Sequence, residues 1–109
     1  LTRVTEEMPV MREETFGPVM AIITVADETE ALRVANNSKF GLGSSIWTKD
    51  RERGIRLARQ IQSGAVFVNG MVKSDPRLPF GGIKKSGYGR ELSGYGIKEF
   101  VNIKTVWVK

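Results

Sequence analysis

The sequence predicts an α/β fold built on a parallel sheet. Three observations predict it: a near-continuous apolar run at residues 19–25, two helix-patterned stretches each opened by an aspartate, and short strand-like segments that follow them. The opening, residues 1–12, is mixed, and Pro9 argues against a central strand there. The run Val19, Met20, Ala21, Ile22, Ile23, Thr24, Val25 suits a strand covered on both faces. A helix is expected next. Asp27 stands as its cap and Glu30 three residues on completes a capping-box pattern. Ala31, Leu32, Val34 and Ala35 supply its apolar stripe, and Asn36, Asn37 and Gly41 are stop signals.

Residues 43–48 read as a second strand. Asp50 caps a second helix over residues 51–62, with Ile55, Ala58 and Ile61 toward the core and Arg53, Arg56 and Arg59 on the wet flank. Gly64 ends it, and residues 65–69 make a third strand. Strand–helix alternation with short connections implies parallel pairing through right-handed crossovers. After Asn69 the pattern breaks. Residues 70–90 are glycine-rich, contain Pro76 and Pro79, and carry five basic side chains. A loop this long inside an ordered unit is disproportionately functional. A helix over residues 91–100 and a strand over residues 101–108 close the chain. Both faces of that strand are partly apolar, so it needs a partner to avoid aggregation. The expected division is residues 1–100 as one α/β unit and residues 101–109 as a pairing strand.

Composition excludes several chemistries. The 109 residues include no cysteine and no histidine, which removes thiolate nucleophiles, disulfides and the commonest general base and metal ligand from this chain; no metal site is expected. No apolar run reaches the roughly 18 residues a membrane helix needs, and no signal peptide opens the chain. A cytoplasmic address is expected. The first residue is Leu rather than Met, which fits processing or excision. The net charge of +5 is uneven: residues 1–54 carry 7 basic and 9 acidic groups, residues 55–109 carry 10 and 3. A basic half could face nucleic acid or simply water; no nucleic-acid-binding signature accompanies it, and no nucleic-acid partner is expected.

No phosphate-binding pattern is complete. Gly41-Leu42-Gly43 and Gly87-Tyr88-Gly89 begin a G-x-G-x-x-G, but Ile46 and Leu92 stand at the third position. Two segments carry chemistry. In the first, Glu14 could accept hydrogen bonds from ribose hydroxyls and Phe16 could pack on a flat ring; otherwise this is a turn with Phe16 in the core. In the second, residues 79–91, the glycines permit positive φ and close backbone approach. That loop either cradles an anion or wraps a neighbouring element.

Glu14-x-Phe16-Gly17-Pro18 and Pro79-Phe80-Gly81-Gly82-x-Lys84-x-Ser86-Gly87-x-Gly89-Arg90-Glu91 resemble motifs of the aldehyde dehydrogenase superfamily. Phe40-Gly41-Leu42-Gly43, Thr48-Lys49-Asp50, Gly64 and Val68-Asn69 follow the same order, so the resemblance covers nearly the whole chain. It implies an enzyme that oxidises aldehydes to acids with NAD or NADP, in which a cysteine thiolate attacks the aldehyde and a glutamate-activated water hydrolyses the thioester. In that family the nucleophile, the water-activating glutamate and the oxyanion asparagine lie upstream, so this chain corresponds to the C-terminal part of the catalytic domain and is expected to be inactive alone.

By the resemblance, Glu14 binds the nicotinamide ribose, Phe16 lies beside the nicotinamide, and Phe80 lines the aldehyde tunnel. The terminal strand joins a neighbouring subunit's sheet in a homo-oligomer, dimer or tetramer. The stretch from Lys73 to Leu78 resembles succinate-semialdehyde-type members, in which a serine at the position of Ser74 holds the substrate carboxylate; the alternative is that Ser74 caps the turn at Asp75-Pro76. A rival function is a non-catalytic interaction module that uses the terminal strand. A fluorescence titration with duplex DNA at low salt is expected to show no binding. Affinity that falls steeply with added salt would restore the nucleic-acid reading.

Overall fold

Two aspartates start the two longest helices of the chain. The computed structural model describes residues 1–109. Its elements run α1 (Pro9–Arg12), α2 (Glu28–Asn36), β1 (Phe40–Gly41), β2 (Gly43–Ile46), α3 (Arg51–Ala58), β3 (Ala65–Val68), β4 (Ile83–Lys84) and α4 (Ser93–Lys98). The Asp27 carboxylate accepts from the Glu30 N–H at 2.8 Å, and the Glu30 carboxylate accepts in return from the Ala26 N–H at 2.8 Å. Asp50 accepts from the Arg53 N–H at 2.9 Å. Each bond satisfies a donor that the first helical turn leaves free.

The α/β expectation holds in β2–α3–β3. Strands β2 and β3 pair in parallel, Gly43 opposite Ala65 through Ile46 opposite Val68. Ile55, Ala58 and Ile61 are half-buried while Arg53, Arg56 and Arg59 are exposed. Gly54 is buried where α3 crosses the sheet: a Cβ there would stand 2.6 Å from a Val68 methyl. Asn69 adopts φ 54° and ends the ladder. Its amide then continues the pairing by side chain, accepting from the Thr48 N–H and donating to the Thr48 carbonyl, both at 2.9 Å. Helix α3 stops at Ala58, short of Gln62, because the Gln62 N–H turns away to the Asn36 side-chain oxygen at 2.7 Å.

A second sheet is absent from the sequence pattern. Strands β1 and β4 pair antiparallel, Phe40 opposite Lys84 and Gly41 opposite Ile83. Lys84 sits at φ 56°, and its ammonium donates to the carbonyls of Asn36 and Ser38 at 2.8 and 2.9 Å, satisfying the open end of α2. The Ser86 hydroxyl accepts from the Gly41 N–H at 3.0 Å, and the Lys85 N–H donates to the Lys39 carbonyl. The glycine-rich loop thus wraps the segment between α2 and β2, the second of the two readings its composition allowed.

Residues 19–25 form no strand. Ala21, Ile23 and Val25 are half-buried while Met20, Ile22 and Thr24 are exposed, the alternation of an extended chain without a ladder. The expected strand covered on both faces is therefore not found: one face is exposed, and no strand of this chain lies beside the run. Residues 101–109 likewise pair with nothing in the chain, and every one is exposed. The helix expected over residues 91–100 contracts to α4.

The chain covers little of its own surface. Five residues are buried, four of them glycine, and Val4 is the only apolar side chain among them. The accessible surface is 9082 Å², about 3,000 Å² above what a compact monomer of this mass exposes. The radius of gyration is 17.5 Å, against roughly 13 Å for a compact domain of this length.

Where the loop lies on the β3 entry, backbones touch. A Cβ on Gly64 would stand 1.7 Å from the Gly81 carbonyl oxygen. Gly64→Ala is expected to cost on the order of 3 kcal/mol, because backbone cannot step aside as a side chain would. Gly17→Ala, with nothing within 4 Å, should move stability by less than about 1 kcal/mol. Denaturant unfolding of the two variants beside the parent checks both; equal effects would show that the contact is relaxed in solution.

Candidate functional site

Glu14 hangs over the start of the sheet. It lines an open cleft of about 320 Å³ with Phe40, Gly41, Gly43, Gln62 and Ser86. No group of the chain donates a side-chain hydrogen bond to its carboxylate. Phe16, two residues on, is 92% exposed. Within this chain Phe16 packs into no core. A carboxylate with both oxygens free can accept from hydroxyl groups, and an exposed ring can pack against another flat or apolar group.

Phe80 is held by backbone. Its N–H donates to the Glu91 carbonyl at 2.9 Å and its carbonyl accepts from the Glu91 N–H at 2.8 Å. The residue borders two clefts. One, about 520 Å³, runs along the loop past Leu42, Ser86 and Tyr88. The other, about 440 Å³, lies against β3 and is walled by Val66, Phe67, Leu78 and Phe80, with Lys73 and Asp75 at its polar side. Leu42 and Ser86 border both the Glu14 cleft and the first Phe80 cleft. The β1–β4 ribbon therefore joins the Glu14 and Phe80 surfaces.

Several of the loop's donors are already engaged. The N–H groups of Phe80, Lys85, Ser86, Gly87 and Glu91 already donate within the chain. The Arg90 guanidinium is turned inward onto the carbonyls of Gly82 and Gly89 at 3.0 and 2.6 Å. These bonds fix the loop's shape.

Ser74 is exposed, makes no side-chain hydrogen bond in the chain, and borders none of its clefts. It does not cap the following turn. Asp75 does so itself, its carboxylate accepting from the Arg77 N–H and Nε at 2.9 Å and from a terminal guanidinium nitrogen at 2.7 Å. The Arg77 guanidinium, then its backbone N–H and the nearby Lys73 charge, lower the Asp75 carboxyl from the ordinary 3.8 to about 2. Lys73 borders the apolar cleft beside Asp75.

The widest cleft, about 680 Å³, lies elsewhere, between the N-terminal segment and the end of α2. Across it the Glu6 carboxylate accepts from the Arg33 guanidinium at 2.5 and 3.2 Å and from the Asn37 amide at 2.6 Å. Arg33 first and Asn37 second pull the Glu6 carboxyl below its ordinary value. The cleft lining is mostly polar, and the Glu6–Arg33 pair crossing it ties the N-terminal segment to α2.

The model of the aldehyde dehydrogenase family matches residues 1–106. An aldehyde dehydrogenase of Paenarthrobacter nicotinovorans is 57% identical over 107 residues, which is 98% of this chain and 23% of that protein. A protein named succinate-semialdehyde dehydrogenase [NADP(+)] 1, of Mycobacterium ulcerans (strain Agy99), is 55% identical over 108 residues, 99% of this chain and 24% of its own length. Among solved structures, succinic semialdehyde dehydrogenase from Streptococcus pyogenes, in complex with NADP+, superposes with a TM-score of 0.94 at 44% identity, covering 98% of this chain and 24% of that one. The chain spans about a quarter of the length of the curated relatives it matches.

Because Asp75 has a depressed pKa, the turn bond it makes is fully present above about pH 4 and is lost as pH falls through about 2. A carboxyl-carbon NMR titration is expected to give Asp75 a midpoint near 2. In Arg77→Ala the midpoint should return toward 3.8. An unmoved midpoint in the variant would assign the shift to another group.

Proposed function

The chain belongs to the aldehyde dehydrogenase family, and on that premise we propose that it is the C-terminal part of an enzyme that oxidises an aldehyde to the acid with NAD or NADP. The proposed substrate is an acidic aldehyde of the succinate-semialdehyde kind. The observation that carries the reading is a free carboxylate at Glu14 and a free ring at Phe16 in one short segment.

The bound dinucleotide supplies a hydride acceptor. Glu14 accepts from the nicotinamide ribose hydroxyls and Phe16 packs beside the nicotinamide, which together set where the reacting carbon must lie. Phe80 lines the aldehyde path, its backbone pinned to Glu91 so that the ring starts from a fixed point. Ser74 donates its hydroxyl to the substrate carboxylate. With no cysteine in the chain, the nucleophile comes from the remainder of the enzyme, and by the family resemblance so does the water-activating glutamate. Alone, the chain is inactive. Residues 101–109 pair with the sheet of a second subunit in a homo-oligomer; their exposure on both faces supports this. A cytoplasmic address goes with this reading. The rival, a non-catalytic interaction module, draws on that same exposed segment.

Mixing the chain with an upstream portion that holds the nucleophile is expected to restore aldehyde oxidation. Association without activity would favour the interaction module. In the complete enzyme, Glu14→Gln should slow hydride transfer by about tenfold or more while weakening dinucleotide binding less, since position is what the contact sets. Single-turnover kinetics check this, and an unchanged rate would remove Glu14 from the site. Ser74→Ala should raise KM for an acidic aldehyde more than for a neutral one; equal effects would remove its carboxylate role.

A further inference from the structure

Left-handed backbone occurs at three places between Phe80 and Glu91: Lys84 at φ 56°, Gly87 at φ 128° and Gly89 at φ 78°. Two of the three are glycine, the residue such backbone favours. At Lys84 a Cβ is carried at a steric cost, so its side chain has to answer for its presence. The ammonium donates to the carbonyls of Asn36 and Ser38 at 2.8 and 2.9 Å. Asn36 is the last residue of α2, and a cation suits the open carbonyls at a helix C-terminus. Lys84 also stands opposite Phe40 in the β1–β4 ribbon. One residue therefore grips residues 36–40 twice, by side chain at one end and by backbone at the other.

That stretch forms one wall of the Glu14 cleft. Ser38, Phe40 and Gly41 line it, as does Ser86, two residues past Lys84. Lys84 itself does not border the cleft. We propose that Lys84 is a positioning residue for hydride transfer: by fixing the end of α2 to β4, it sets the wall against which Glu14 and the ribose it binds are held. This rests on the reading of Glu14 as a dinucleotide contact and adds a residue that touches neither cofactor nor substrate. An ammonium can hold two carbonyls at once, and a charged donor makes the stronger bond. Without it, the turn between α2 and β1 is held to the loop by neutral bonds alone: the β1–β4 pairing, Lys85 N–H to the Lys39 carbonyl, and Gly41 N–H to the Ser86 hydroxyl. A small shift of that turn moves the ribose, and hydride transfer is steep in position.

The test uses the complete enzyme. Lys84→Met keeps most of the stem without the charge, Lys84→Gly suits the backbone without the stem, and Lys84→Arg restores a charged donor. Lys84 is exposed, so all three should fold as the parent does. Thermal unfolding verifies this, and single-turnover kinetics read hydride transfer. Lys84→Met and Lys84→Gly are both expected to slow that step about tenfold with little change in the aldehyde KM, and Lys84→Arg should keep most of the rate. A parent-like rate in Lys84→Gly would assign the position to backbone alone, and a parent-like rate in Lys84→Met would show the ammonium idle; either overturns the proposal. Lys84→Met is then combined with Glu14→Gln. If the two act through one cleft wall, the double variant should be little slower than the slower single variant. A combined slowing equal to the product of the two would mean independent effects and reject the role, leaving Glu14 in the site. Glu14→Gln without effect would instead remove Glu14 itself, and the proposal would fall with the reading beneath it.

Discussion

The Gly81 carbonyl occupies the space that any side chain on Gly64 would need. That contact seats the glycine-rich loop on the turn entering β3, and much else follows from it. With the loop seated, Ile83 and Lys84 pair with Gly41 and Phe40, Ser86 reaches the Gly41 N–H, and Lys84 reaches the last carbonyl of α2 and that of Ser38 just beyond it. Phe80 and Glu91 then close across the loop's neck. Glycine at these positions answers crowding, since backbone approaches backbone where a methyl group has no room.

The parts of the fold that were legible in the sequence are the parts whose hydrogen bonds are local. The Asp27 and Asp50 caps lie three residues from their donors, and α2 and α3 start where the aspartates say. The parallel β2–β3 pair could be read from strand–helix–strand alternation. The β1–β4 ribbon could not, because two residues per strand leave no period to detect and their partners lie more than forty residues apart. The run at residues 19–25 announced a strand covered on both faces, yet it forms none and its alternate residues are exposed. In the site, Glu14 and Phe80 border clefts. Ser74 does not, and the turn it was expected to cap under the alternative reading is held by Asp75 instead. Its carboxylate reaches the Arg77 N–H and guanidinium together.

A chain that buries a single apolar side chain cannot owe its shape to its own core. What holds it is a hydrogen-bonded frame: caps at helix starts, Lys84 and Asn36 at helix ends, and Arg90 inside the loop. Such bonds specify geometry well but contribute only about 1 kcal/mol each net of water, so the apolar surface must be covered elsewhere for the shape to persist. This has a bearing on the proposed site. Glu14, Phe16 and Phe80 are presented on a surface rather than enclosed in one, and the remainder of the enzyme would supply the opposite wall.

The amide of Asn69 makes the end of the β2–β3 ladder sensitive to a single atom. Its oxygen faces a donor and its nitrogen faces an acceptor, both belonging to Thr48. Hydrolysis of that side chain, water entering and ammonia leaving, would give a carboxylate of nearly the same shape and volume. One bond would survive, and the other would become two acceptors pressed together. The sheet edge beside α3 would then loosen through chemical ageing of one residue, with no change in bulk to betray it.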